Sequence, residues 1–117
     1  MTHGELRIKF ISWYQKEFPD RRIFDNRTGW AQYGKQAVPY GIPAPARGRR
    51  KKAGGGGPDL ISFGNEYGYF TAHFFELKTK NDRIRPNQKL FADWVKRNGG
   101  VYFIVREDGD GFNVAEY

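Results

Sequence analysis

Two runs of aromatic and branched residues, Asp59 to Phe63 and Phe70 to Lys78, flank a short stretch, Gly64 to Gly68, that supplies turn chemistry. The pattern predicts an antiparallel hairpin. A turn centred near Tyr67 and Gly68 sets Asp59 opposite Glu76, or within one residue of it, so the two carboxylates share a face. Cross-strand Cβ atoms lie about 4.5–5.5 Å apart, and like charges that close repel. A fold with no use for the pair is expected to avoid it, whereas a divalent cation between them removes the objection. Lys78, two residues beyond Glu76, projects on the same face and brings an ammonium group alongside. Leu60, Phe75 and Leu77 point the other way, into apolar packing, while Ile61, Phe63 and Phe74 continue the acidic face away from the charges.

The flanking sequence supplies helices to cover both faces. Leu6, Phe10, Trp13 and Tyr14 recur at helical spacing between Gly4 and Phe18, and Pro19 ends the pattern. Glu5 lies in the first turn. Arg22 to Asp25 forms a short strand. Pro86 suits a first helical position, Leu90, Phe91, Trp94 and Val95 make an apolar stripe, and Asn98-Gly99-Gly100 closes the second helix. Gln88 shares a face with Phe91 and Val95, so it points inward and needs partners. Strands Val101 to Arg106 and Phe112 to Glu116 follow, joined by a turn at Asp108 to Gly111. The expected order is α-β-β-β-α-β-β, an α/β fold with a mixed sheet flanked by helices.

From Arg27 to Gly57 Gly, Pro and basic residues dominate with no sustained period, which predicts a long loop. Arg47, Arg49, Arg50, Lys51 and Lys52 stand before four consecutive glycines and are five of the chain's 20 basic residues. The 117 residues leave room for one domain, residues 1–117. A formal charge of +7 and a pI near 9.8 point to a polyanionic partner, nucleic acid above all. Without cysteine, disulfides and thiolate-ligated zinc are excluded. Any metal is then held by oxygen or by His3 and His73, and oxygen favours Mg²⁺ or Mn²⁺. The first apolar run, interrupted by Glu5, Arg7 and Lys9, does not resemble a signal peptide, and no stretch is apolar enough to span a bilayer. An intracellular, cytoplasmic protein is expected, in the host cytoplasm if viral.

Three segments now stand in order: Gly56-Gly-Pro-Asp-Leu60, Phe75-Glu-Leu-Lys78, and Arg83-Ile-Arg-Pro-Asn-Gln88. With an acid in the first helix and Gly99-Gly-Val-Tyr-Phe-Ile-Val105 after the second, the chain resembles the virus-type replication-repair nuclease (VRR-NUC) domain of the PD-(D/E)XK superfamily. That resemblance implies a restriction-endonuclease-like core and phosphodiester hydrolysis in DNA leaving a 5′-phosphate and a 3′-hydroxyl. It also implies Asp59 and Glu76 as metal ligands, the Leu77 carbonyl as a third, Lys78 as the catalytic lysine, Gln88 as the motif glutamine and Glu5 as the helix-one acid. Standalone members of the family occur in phages and include dimeric nucleases that cleave Holliday junctions.

Lys80, Arg83, Arg85 and Lys89 cluster after the lysine strand and at the start of the second helix, where they would position the phosphate backbone. No base-reading motif is present, so selectivity is expected from DNA shape: a junction, fork or flap entered by the basic loop. Paired nicks across a four-way junction need two active sites, which predicts a C2 homodimer. No small-molecule cofactor is implied. The competing readings are a non-catalytic DNA-binding module with the nuclease fold and a sequence-specific endonuclease of the same superfamily; composition alone does not separate DNA from RNA.

Plainer roles also fit some of these residues. Glu-x-Lys on a strand is commonly a solvated pair, an acid in a first helical turn commonly complements the dipole, and Gln88 can serve as a cap. His73 faces away from Glu76 and suits a satisfied sheet histidine. Trp13, Phe91 and Trp94 are expected in the core, and Trp30, Tyr33 and Tyr40 either stack on bases or a partner subunit or pack at the core edge.

Overall fold

The computed structural model describes residues 1–43 and 57–117. Helix α1 (His3–Glu17) begins where the Thr2 hydroxyl accepts a hydrogen bond from the Glu5 amide at 3.1 Å, an N-cap that satisfies one orphan donor. Strand β1 (Arg22–Asp25) follows, then β2 (Gly29–Tyr33) and β3 (Gln36–Tyr40), β4 (Leu60–Glu66), β5 (Tyr69–Lys78), α2 (Pro86–Arg97), β6 (Val101–Asp108) and β7 (Gly111–Glu116).

Five strands form one mixed sheet in the order β1-β4-β5-β6-β7. The β5–β6 pair is parallel and the other three pairs are antiparallel. A parallel pair needs a crossover, and α2 provides it. The α1 face buries Leu6, Phe10 and Tyr14 against Leu60, Phe75, Leu77 and Val105. The α2 face buries Phe91, Ala92 and Val95 against Ile61, Phe74, Tyr102 and Ile104. The predicted alternation of β4 and β5 therefore holds, and β5 is buried on both faces from His73 to Lys78. Glu66 pairs with Tyr69 across a two-residue turn in which Tyr67 (φ 51°) and Gly68 (φ 87°) are both left-handed. Such a turn matches the twist of the strands, and it fixes the register that brings Asp59 level with Glu76.

Part of the segment expected to be one long loop is strand instead. Residues 29–40 form a separate two-stranded sheet, with Gly34 (φ 61°) and Lys35 as its turn. β3 is exposed at all five positions, so the apolar alternation that normally betrays a strand is missing. Trp30, Tyr33 and Tyr40 are at least half exposed on this hairpin and do not pack at the core edge. Trp13 and Trp94, expected in the core, lie at its margin, 38% and 43% exposed, whereas Phe91 is fully buried.

One side chain closes the base of the segment. Asn26 Nδ2 donates to the carbonyls of Ile42 (2.8 Å) and Pro58 (2.9 Å), and its Oδ1 accepts from the Ile42 amide at 2.8 Å. Gly57 lies so close that a Cβ there would collide with the Ile42 carbonyl. Arg47, Arg49, Arg50, Lys51 and Lys52 lie outside the described residues.

Candidate active site

Asp59 stands just before β4 and is tied down on both sides. Its amide donates to the Phe75 carbonyl at 2.9 Å, its carbonyl accepts from the Asn26 amide at 2.9 Å, and its Oδ2 accepts from the Leu77 amide at 2.7 Å. On β5, Glu76 is 4% exposed and Lys78 only 1%. Glu76 Oε1 accepts from Gln88 Nε2 (2.7 Å) and Oε2 from the Tyr102 hydroxyl (3.1 Å). Lys78 Nζ donates to Gln88 Oε1 (2.8 Å) and to the Arg83 carbonyl (3.0 Å), with carboxylate oxygens of Glu76 and Asp82 at 3.8 and 3.9 Å.

Gln88 links these groups. It sits at the third position of α2, where Oε1 also accepts from the Arg85 amide at 2.8 Å and so ties down the start of the helix. The cap and the inward role expected from its helical face are thus one arrangement: one amide fixes the helix end, the ammonium and the carboxyl.

Burial is the largest influence on Glu76, and the adjacent Asp59 carboxylate acts in the same direction; together they push its carboxyl up to about 9, against the opposing pull of Lys78. Two carboxyl groups thus meet in a cleft of about 330 Å³, and without a cation between them Glu76 holds on to its proton. A divalent cation answers that arrangement, and carboxylate and carbonyl oxygens are donors that hard cations prefer. The residues present fit such an ion, although among the described residues no three side chains of His, Cys, Asp and Glu close around one point. The Leu77 carbonyl, 3.2 Å from His3 Nε2, adds a backbone oxygen.

The family model described as the VRR-NUC domain matches residues 1–107. The chain belongs to the VRR-NUC family. No curated protein matches it. This VRR-NUC domain is a nuclease of the PD-(D/E)XK type, a class that generally uses divalent metal ions, with DNA as the implied substrate.

Of the residues singled out in the sequence, Asp59, Glu76, Lys78 and Gln88 converge on the cleft of the VRR-NUC domain. Glu5 does not join them: it is exposed in the first turn of α1, and the helix presents His3 and Arg7 to Asp59 instead, at 3.5 and 3.7 Å. Lys80, Arg83, Arg85 and Lys89 are exposed, with Arg85 on the cleft wall. His73 lies on the α1 face, paired with Glu66 at 2.6 Å, away from the cleft as expected. Sequence reasoning missed Arg7, Asn26 and Tyr102 and named His3 only as a possible ligand. Tyr102 becomes visible only once β6 is known to run parallel to β5 with Phe74 opposite Tyr102.

Proposed function

We propose that the chain is a Mg²⁺- or Mn²⁺-dependent DNA endonuclease, selective for branched DNA, acting in replication, recombination or repair. The observation that carries this reading is the single buried network of Glu76, Lys78 and Gln88 opening into the cleft beside Asp59. Asp59, Glu76 and the Leu77 carbonyl would hold the ion. When bound, it supplies charge neutralisation at the scissile phosphate and acidifies water.

The chain's own groups do the rest. Gln88 Oε1 and the Arg83 carbonyl occupy two donors of the Lys78 ammonium and aim the remaining one. That donor orients the attacking water in line with the leaving 3′ oxygen. Attack forms a P–O bond to water and breaks the P–O3′ bond; one proton of the water is lost and one is gained by the departing oxygen, which gives a 5′-phosphate and a 3′-hydroxyl. Exposed Arg85, Arg83, Lys80 and Lys89 grip the phosphates on either side, and Arg47, Arg49, Arg50, Lys51 and Lys52 extend the same charge. A C2 homodimer places two such sites on one junction, and the site of action is the cytoplasm. Glu5, turned to solvent by α1, would serve only as an outer carboxylate.

Cleavage of matched duplex, fork, flap and four-way-junction DNA with Mg²⁺ or Mn²⁺ tests the reading. Cuts on branched substrates, lost in Asp59→Asn and Lys78→Ala while binding persists, are the expected result. Binding without cleavage in the unaltered protein would refute it. Sedimentation of the protein on a junction reads out the dimer.

A further inference from the structure

We propose that His3 donates its Nε2 to the metal seat, so that the site prefers Mn²⁺, or another cation that accepts nitrogen, over Mg²⁺. The inference rests on the metal-dependent reading above. Nε2 lies 3.2 Å from the Leu77 carbonyl oxygen and 3.5 Å from Asp59 Oδ2. Ligands held about 2.1 Å from one cation at octahedral or tetrahedral angles are separated by about 3.0–3.4 Å. Nε2 therefore stands from each of the two oxygens at close to the separation of neighbouring ligands on one cation. A protonated Nε2 can satisfy its acceptors one hydrogen at a time, whereas a cation in the same place satisfies the imidazole and both oxygens together.

The surroundings keep the imidazole available. His3 is the first residue of α1, held by the Thr2 cap, and its side chain is 40% exposed at the cleft wall, where among the described residues Asp59 is the carboxylate within ion-pair distance. Arg7, one turn further on, faces the other Asp59 oxygen, Oδ1, at 3.7 Å and leaves Oδ2 towards His3. Imidazole nitrogen raises affinity for transition metals much more than for Mg²⁺, which keeps oxygen ligands and water.

The test is Mn²⁺ binding to the full chain, followed by calorimetry and by pulsed electron paramagnetic resonance, in unaltered protein, His3→Ala and Asp59→Asn. The expected result is a nitrogen hyperfine coupling in the unaltered protein that vanishes in His3→Ala. Mn²⁺ affinity falls about tenfold in His3→Ala while Mg²⁺ affinity changes far less. Mn²⁺ that binds in an Asp59-dependent way but shows no nitrogen coupling would overturn the role of His3 and leave the metal-dependent reading standing. Mn²⁺ binding unaffected by Asp59→Asn would overturn both. Because His3 is partly exposed, urea denaturation of His3→Ala should match the unaltered protein, which separates lost ligation from lost folding.

Discussion

Glu76→Gln is expected to abolish cleavage while flattening the loss of metal-free stability that the unaltered protein suffers as pH rises from mildly acidic to mildly basic. The carboxyl of Glu76 is pushed up to about 9 in the folded protein, chiefly by burial and by Asp59, against 4.5 for an ordinary glutamate. Between those values the folded protein keeps a proton that the unfolded chain has released. Stability is therefore highest below the unfolded value and falls as pH climbs towards the folded one. Each pH unit in that window costs about 1.4 kcal/mol. From about pH 5.5 to about pH 8 the loss is about 3 kcal/mol, a large share of the roughly 5–15 kcal/mol that holds a domain together. Glutamine stays neutral throughout. Its carbonyl can still accept from Gln88, its amide can face Asp59, and the Tyr102 hydroxyl can donate or accept. Urea denaturation in EDTA at the two pH values measures the effect. An unaltered protein as stable at the higher pH as at the lower, or a glutamine variant with the same slope, would refute the reasoning.

Lys78→Met is expected to remove cleavage while changing stability by less than about 1.5 kcal/mol in the same urea assay, because Gln88 Oε1 keeps the Arg85 amide as a donor and methionine fills the space. Arg21 is buried and donates to the Tyr14, Ser62 and Thr71 side chains and to the Ser62 and Thr71 carbonyls, so Arg21→Ala should lower stability by about 3 kcal/mol, read as a shift in the urea midpoint. Trp30→Ala should leave stability within about 0.5 kcal/mol but weaken junction binding by about 1–3 kcal/mol in fluorescence anisotropy, if the exposed ring stacks on a base.

What the sequence disclosed depended on how local the signal was. The β4–β5 register follows from a two-residue turn and the side-chain period, which suffice to put Asp59, Glu76 and Lys78 on one face. Gln88 was legible because α2 has a clear apolar stripe. Tyr102 was not, since its contact with Glu76 depends on a parallel pairing across the α2 crossover. Nor was the choice between Glu5 and His3, because two residues on a helix differ by about 200° and only the docking of α1 decides which faces the cleft. The β2–β3 hairpin escaped notice for the opposite reason: its turn is local, but with both faces largely exposed it carries no burial pattern to separate it from a loop.

The Asn26 clamp also bears on how a domain like this can vary. Ile42 and Pro58 are held by the same side chain, so the chain departs from and returns to a single point on the scaffold. Whatever is inserted between them transmits little strain to Asp59, and extra length costs only a slowly growing closure entropy. The clamp thus works as a splice point. Under the proposed function, segments of different charge or length exchanged there would alter which nucleic acids are captured while β4 and β5 remain in register.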